Sequence, residues 1–245
     1  MYANSSPIHS AQSGVHDQLA ATVAKHAAHT FQKPVSAYNQ RAFDDSIAAW
    51  RAAGSLPLIL DAGCGVGLST MHLAAQYPDH FVIGVDQSAD RVGRNTLWPG
   101  AAPLPDNFLR IRADLVDYWR LLLAAGIFPA RHYLLYPNPW PKIGQLSRRW
   151  HGHPVFPDIA ALGGILECRS NWQIYVEECA SALGQLSGKE VGCEVYQPTL
   201  PITPFESKYL ASGHQLWRCQ VSLGEPRVLQ DPREPGRPAG TFQTT

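Results

Sequence analysis

Two carboxylates and three glycines are spaced so that they could hold a nucleoside. The run DAGCGVG, Asp61 to Gly67, follows the apolar segment PLIL and precedes a segment of helical character, and Asp86 ends the next apolar segment. Glycines in such a turn let the backbone approach a ligand closely, and the later carboxylate accepts hydrogen bonds from ribose hydroxyls. The glycines could instead serve only tight strand-to-helix packing, and Asp86 could be a helix cap, although Ser88 suits that position better.

A second candidate site is the stretch YPNPWPK, Tyr136 to Lys142, which interrupts an apolar run. Proline has a fixed φ and no N–H to donate, so the alternating prolines exclude helix and paired strand and predict a stiff, exposed loop. In an open α/β sheet, a loop that leaves the carboxyl end of a strand lies where ligands bind. A loop that only closes the sheet edge is the alternative, but it gives Trp140 and Lys142 no packing reason to share so exposed a place.

A basic stretch, KIGQLSRRWHGH, begins at Lys142 and contains Arg148 and Arg149 but no acid. Cations beside a substrate loop would contact phosphates, although a solvated basic loop has the same composition. His151 and His153 have no further ligands at a suitable spacing, which favours a surface position over a metal site.

The elements that must position these residues alternate between strand and helix. Strands are predicted at PLILD, HFVIGVD, FLRIRAD, RHYLLY, GILECRS, KEVGCEVYQ and HQLWRCQVSL, and helices at 17–29, 44–53, 68–77, 88–97, 116–126, 156–162 and 171–183. Such alternation indicates a mostly parallel sheet covered on both faces, and the short connection before the last strand indicates that the final pair is antiparallel.

Composition and length limit the remaining possibilities. The length of 245 residues predicts one large domain (56–223) with an N-terminal helical extension (1–55). The composition of 224–245, rich in Pro, Gly and Arg, predicts a mobile tail. The 20 Lys and Arg balance the 20 Asp and Glu, so any nucleic-acid surface must be local. The five scattered cysteines indicate reduced thiols, and the absence of a signal peptide or long apolar run predicts a cytoplasmic protein without a membrane segment.

The glycine run departs from a dinucleotide fingerprint, because its sixth position lacks glycine. It resembles the E/D-x-G-x-G-x-G loop of class I S-adenosylmethionine-dependent methyltransferases, which holds the methionine part of that cofactor. The resemblance implies a class I Rossmann-like α/β fold, a doubly wound seven-stranded mixed sheet with one antiparallel strand. It also implies S-adenosylmethionine as cofactor, with Asp86 at the ribose and Asp114 at the adenine.

From about Ile59 to Leu223 the chain also resembles the bacterial tRNA (guanine-N7-)-methyltransferase family, as a divergent member. The positions that agree with its motifs are Pro137, Pro139, Trp140, Lys142, Arg148, Arg149, Tyr175, Thr203, Phe205 and Glu206. The departures are Asn138 for the usual Asp, Gln145 for His, and Ser170-Asn171 for Thr-Asp. Tyr175, with apolar neighbours on its helix face, is expected in the core rather than the site.

This second resemblance implies methyl transfer to N7 of guanine 46 in tRNA. The implied catalytic residues are Asn138 and Glu206. The implied cofactor contacts are Asp61, Gly63, Gly65, Gly67, Asp86, Gln87, Asp114, Leu115 and Asn138. The implied substrate contacts are Trp140, Lys142, Arg148, Arg149, Asn171, Thr203 and Glu206. We expect tRNA as partner, no metal, no membrane, and a monomer or homodimer.

Two further interpretations are open. Asn138-Pro139-Trp140-Pro141 resembles the Asn-Pro-Pro-aromatic motif of amino-group methyltransferases, in which the side-chain carbonyl accepts from an exocyclic amine. The chain would then act on an amino group, a small molecule or another RNA. Alternatively, it is a non-catalytic relative that binds the cofactor or RNA without turnover.

Overall fold

A central seven-stranded sheet organises the protein in the computed structural model, which describes residues 5–100 and 102–225. The strands are β1 Leu58–Ala62, β2 Phe81–Asp86, β3 Phe108–Arg112, β4 Arg131–Leu135, β5 Ile165–Ser170, β6 Glu194–Tyr196 and β7 Leu216–Ser222. Their order across the sheet is β3-β2-β1-β4-β5-β7-β6. Only β7 runs against its neighbours, β5 and β6, so the predicted mixed sheet with one antiparallel strand is confirmed.

Eight helices accompany the sheet in the described part of the chain. They are α1 Leu19–Ala27, α2 Ala37–Ala52, α3 Leu68–Gln76, α4 Ala89–Val92, α5 Leu115–Ala124, α6 Phe156–Ala161, α7 Gln173–Ser187 and α8 Pro204–Ala211. Two 3-10 helices, Ile143–Arg148 and Trp150–Gly152, lie in the connection from β4 to α6. In residues 5–100 and 102–225, no helix is long and apolar enough to span a bilayer.

The two faces of the sheet support separate apolar clusters. In β1, Leu58 and Leu60 belong to the larger cluster and Ile59, between them, belongs to the smaller one. Alternate residues of a strand point to opposite faces, so a strand covered on both sides is apolar throughout. This explains why PLIL and FVIGV read as continuous hydrophobic runs.

Several predicted elements differ from the structure. Helix α2 begins at Ala37 rather than 44, because the Ser36 hydroxyl caps it by accepting from the Asn39 N–H at 3.1 Å. The helix predicted over 88–97 is only the four residues of α4, which ends at Val92 with Gly93 as its C-cap. Helix α8 was not predicted at all, although Thr203 caps it and Pro204 occupies its first turn.

The N-terminal helices pack on the same core as the sheet. Leu19 and Val23 of α1 and Phe43 and Ile47 of α2 are buried members of the larger cluster. The predicted boundaries at 55 and 223 stay predictions, and the predicted tail lies almost wholly in 226–245, outside the described residues.

Candidate functional site

The turn from β1 to α3 leaves open space where a ligand could approach. Gly63 has φ +83°, and a Cβ built on it would meet no atom within 4 Å. Gly67 has φ +79°, but a Cβ there would lie 2.0 Å from Cδ of Arg110. The first glycine therefore suits close approach of a ligand. The second has a backbone conformation that favours glycine, and the space beside it is filled by the Arg110 side chain, which donates to the Val66 carbonyl at 2.7 Å.

Asp61, at the end of β1, is a buried carboxylate with one oxygen engaged. Its Oδ2 accepts from the hydroxyls of Ser69 at 2.6 Å and Thr70 at 2.7 Å, which fixes the start of α3. Its Oδ1 is buried without a hydrogen-bond partner in the described structure. Burial raises the pKa of Asp61 to about 6, against the lowering effect of the two hydroxyls. A cation beside this oxygen would relieve the unpaired charge.

Asp86, at the end of β2, organises the glycine turn from the other side. It accepts from the Gly65 N–H at 3.1 Å and the Ser88 N–H at 2.8 Å, and Arg91 approaches it at 3.2 Å. A carboxylate has about four acceptor positions, so one remains for a ribose hydroxyl, and displacing the half-exposed Arg91 would provide another. Ser88 is the cap of α4, as the sequence indicated.

The third predicted cofactor carboxylate, Asp114, follows β3 and caps α5. Its Oδ1 accepts from the Val116 N–H at 2.9 Å, and its Oδ2 lies 3.2 Å from the Lys33 ammonium. Leu115 is buried directly after it, while the Gln87 side chain is exposed. The carboxyl ends of β1, β2 and β3 thus bring the predicted cofactor residues to one edge of the sheet.

The loop after β4 leaves the adjacent strand at the same edge of the sheet. Two of its residues adopt positive φ without being glycine, Tyr136 at 52° and Trp140 at 45°. Such backbone costs about 1 to 3 kcal/mol per residue and persists where the surroundings hold it in place. Asn138 is exposed, and its Oδ1 is 3.4 Å from the Trp140 N–H. The guanidinium of Arg148 lies over the Trp140 ring, 4.7 Å from its centroid.

Glu206 supports this loop from the interior of the protein. The side chain is fully buried, and Oε1 accepts from the Tyr136 hydroxyl at 2.8 Å and from Arg169 at 3.1 Å. Its Oε2 accepts from the Ile202 N–H at 2.7 Å. Glu206, which the family resemblance implies at the base, is thus bonded to groups of the protein itself, and its contact with a base stays a prediction. The Thr203 hydroxyl accepts from the Glu206 N–H at 2.9 Å, so it is a helix cap whose proton can still be donated.

Arg149, which was predicted to contact RNA phosphates, has a fully buried side chain that is not open to a phosphate in this structure. It donates to Glu178 at 2.6 Å and to the Trp140 carbonyl at 3.2 Å, so it fixes the backbone of the loop. The expected surface position of His151 is wrong for the same reason, since its Nε2 lies 2.7 Å from Glu178. Burial lowers the pKa of His151, so its ring is a neutral donor. Tyr175, expected in the core, is buried there.

The segment 5–16 makes contacts for which the sequence contains no local signal. Gln12 donates to Glu178 at 2.5 Å and accepts from Arg149 at 3.0 Å, completing the buried ion pair. The Ser10 hydroxyl donates to the Pro141 carbonyl at 2.6 Å. The predicted substrate residue Asn171 lies 3.0 Å from a ring nitrogen of His214, a residue that follows α8.

The structure therefore separates the predicted site residues into two groups. Asn138, Lys142 and Arg148 are exposed, and Trp140 is partly exposed. Arg149 and Glu206 are fully buried and act on the loop through other groups. Neither the burial of Arg149 nor that of Glu206 had a local sequence signal. The capping role of Thr203 did have one, because Thr203-Pro204-Phe205-Glu206 has the T-x-x-E spacing of a helix start.

The glycine turn at the edge of a sheet with one reversed strand defines a class I Rossmann-like methyltransferase fold. A protein family described as "Putative methyltransferase" matches residues 55–219, and the chain belongs to that family. A solved variant of the 16S rRNA (adenine(1408)-N(1))-methyltransferase from Catenulisporales acidiphilia superposes with a TM-score of 0.51. It is 19% identical and covers 74% of this chain and 94% of that chain, which supports the fold alone.

Other known proteins are more similar to the chain in sequence. It is 32% identical over 169 residues to a tRNA (guanine-N(7)-)-methyltransferase of Burkholderia ambifaria, and 30% identical over 176 residues to one of Acidovorax sp.. Each match covers 66% of this chain and 66% of the relative, slightly less than two thirds of its length. The resemblance to these proteins that the sequence motifs indicated is therefore confirmed, at about 30% identity.

Proposed function

We propose that the protein transfers a methyl group from S-adenosylmethionine to N7 of a guanine in tRNA. The observation that carries the proposal is the adjacency of β1 and β4, which places the glycine turn beside the Pro137-Asn138-Pro139-Trp140 loop. The names of the related proteins support the same reaction and substrate. Within tRNA, we propose guanine 46, as the family resemblance implies.

The residues around the glycine turn fit this cofactor. The unpaired Oδ1 of Asp61 suits the cationic methionine part of S-adenosylmethionine, and the open space at Gly63 leaves room for the cofactor to approach the main chain. Asp86 has acceptor capacity for the ribose hydroxyls. When bound, the cofactor supplies an electrophilic methyl group on a sulfonium.

Guanine N7 carries a lone pair, so no residue has to remove a proton before attack. The protein must orient the base and exclude water from the reacting atoms. Asn138 is the exposed polar side chain of the loop and offers an amide oxygen to the donor edge of guanine. Trp140 offers a ring for stacking, on which the Arg148 guanidinium lies in this structure.

Glu206 contributes to this reaction as a positioning residue. Its carboxylate accepts a hydrogen bond from the Tyr136 hydroxyl. Tyr136 has φ 52° and directly precedes Pro137, so this bond supports the start of the loop. Arg169 lies between Glu206 and Glu167, with distances of 3.1 and 2.6 Å, so the buried carboxylates are compensated. The loop that carries Asn138 is therefore held on a charged network rather than left free.

The substitution Asn138→Asp tests the proposal. A carboxylate facing the guanine donor edge would stabilise the positive charge that develops on the ring, by about 1 to 3 kcal/mol or roughly 5- to 150-fold in rate. Single-turnover rates on unmodified tRNA, with nucleoside analysis and mapping of the modified position, give the readout. Asn138→Ala is the matched control and should be slower than wild type.

The amide of Asn138 also favours a second candidate, methylation of an exocyclic amino group. In that reaction the amide accepts from the amine, and an aspartate in its place should slow transfer. A methylated amino group in the product, or an inactive Asn138→Asp variant that still binds cofactor, would replace the proposed reaction with this one. More N7-methylguanosine with the aspartate supports the proposal.

A further inference from the structure

Helix α8 presents a stack of aromatic rings beside the candidate substrate loop. Phe205 and Tyr209 have ring centroids 6.1 Å apart and an interplanar angle of 25°. Tyr209 and His214 continue the stack at 5.4 Å and 14°. Phe205 is the outer member, and 51% of its surface is exposed. A flat, apolar ring face at the end of an ordered stack is the kind of surface on which a nucleobase stacks.

The inner end of the stack is fixed to the site. The Tyr136 ring, which begins the substrate loop, lies 5.6 Å from Tyr209. The two nitrogens of the His214 ring lie 3.0 Å from Asn171 and 3.0 Å from the Ser5 carbonyl, so this ring cannot rotate freely. The stack is therefore ordered without a ligand, and it is joined through Tyr136 to the loop that carries Asn138.

The charges on α8 suit a nucleic acid. Lys208 lies one turn after Phe205, and it forms no ion pair in residues 5–100 and 102–225. Glu206, the one acid of the helix, is fully buried and bonded to Tyr136 and Arg169. An apolar ring beside an unpaired ammonium matches a base and its phosphate better than it matches an apolar peptide.

We propose that Phe205 stacks on a nucleobase of the RNA next to the one that is methylated, and that Lys208 contacts its phosphate. This rests on the proposed function for the identity of the RNA. Recognition by stacking tolerates any base, so this contact contributes affinity and alignment rather than sequence preference.

The experiment compares Phe205→Ala, Phe205→Leu and Phe205→Trp in the full chain. Binding of an unmodified tRNA transcript is measured by fluorescence anisotropy, and cofactor affinity is measured by calorimetry as a check on folding. Loss of a stacked base should weaken tRNA binding by about 5- to 150-fold for Ala and for Leu, while Trp retains it. The matched control is Leu200→Ala, since Leu200 is another exposed apolar residue, at 60%.

Salt dependence separates the two predicted contacts. Lys208→Ala should lower the slope of log affinity against log salt by about 0.7 to 0.9, whereas Phe205→Ala should leave the slope unchanged. Unchanged tRNA affinity of Phe205→Ala, or full retention by Phe205→Leu, overturns the proposal. A dimer that dissociates on Phe205→Ala, with tRNA affinity unchanged, also overturns it and assigns the face to a second copy of the chain.

Failure of the proposed reaction is distinguishable from failure of this inference. Nucleoside analysis that finds no N7-methylguanosine, together with tRNA binding that depends on an aromatic ring at 205, overturns the reaction and supports the stacking contact. N7 methylation by a Phe205→Ala variant with wild-type affinity and kcat/KM supports the reaction and overturns the stacking contact.

Discussion

The two halves of the candidate site place their charged residues differently. On the cofactor side, Asp61, Asp86 and Asp114 lie at or near the carboxyl ends of their strands, and each accepts from backbone N–H or hydroxyl groups of a neighbouring turn or helix. On the substrate side, Arg149 and Glu206 are fully buried beneath the loop, while Asn138 is exposed on it. Charged residues that share a motif therefore need not share a role.

The difference has a physical cause. The turn after β1 contains three glycines in five residues, so its backbone adopts positive φ without strain and leaves open space at Gly63. The loop after β4 contains two non-glycine residues with positive φ, and such backbone needs support. Arg149, through the Trp140 carbonyl, and Glu206, through Tyr136, supply that support.

The largest expected effect separates two adjacent arginines. Arg149→Ala leaves Glu178 buried without its cation, which should destabilise the protein by about 3 to 5 kcal/mol. Arg148→Ala removes an exposed side chain and should change the free energy of unfolding by no more than about 0.5 kcal/mol. Urea denaturation of both variants makes the comparison. Equal stabilities would mean that Arg149 does not support the loop.

The next effect tests the carboxylate of the cofactor side. Asp86→Ala should weaken S-adenosylmethionine binding by about 1.5 to 3 kcal/mol, as for a hydrogen bond to a charged group. Arg91→Ala removes the cation that competes for the same carboxylate, so it should leave the affinity unchanged or raise it. Calorimetry measures both. An Arg91→Ala variant as weak as Asp86→Ala would assign the contact to the arginine.

A pH dependence should follow from Asp61. Its pKa in the ligand-free protein is raised to about 6 by burial, and a cation beside Oδ1 favours the ionised form. Cofactor binding then requires loss of a proton below about pH 6, so the affinity should fall up to about tenfold per pH unit there. Calorimetry from pH 5 to pH 8 tests this, with Asp61→Asn as the control whose affinity lacks that step. A flat wild-type profile contradicts it.

The free energy of unfolding of the ligand-free protein should also depend on pH through Asp61, and it should fall as the pH rises. The folded-state pKa of Asp61 lies above its ordinary value of 3.8, so its contribution to stability is greatest at acid pH and is lost as pH rises through about 6. The ligand-free protein therefore gains from Asp61→Asn above pH 6, although the cofactor complex does not.

The smallest effect concerns the exposed cations of the substrate side. Arg148→Ala and Lys142→Ala should each lower the slope of log tRNA affinity against log salt by about 0.7 to 0.9, with cofactor affinity unchanged. Arg149, being buried, should contribute nothing to this slope in any variant that remains folded. Unchanged slopes for both exposed cations would remove this loop from the RNA surface.

Much of the fold could be predicted because its signals are local. Apolar runs and glycine turns indicated all seven strands and the reversed final pair, and these are confirmed. Helix α8 was not predicted because Pro198, Pro201 and Pro204 are typical of a loop, and this composition outweighs the local cap signal at Thr203. Helix α4 was predicted too long, since Gly93 ends it after one turn.

The sequence by itself determined the glycine turn, the three carboxylates at or near the ends of their strands and the proline loop, because each depends on neighbouring residues. Only the tertiary structure decided which charged side chains face a ligand. Glu178 lies 29 residues from Arg149 and Glu206 lies 70 residues from Tyr136, and no local pattern links either pair. A buried charge requires a partner in space, and that partner is chosen by the packing of helices on the sheet.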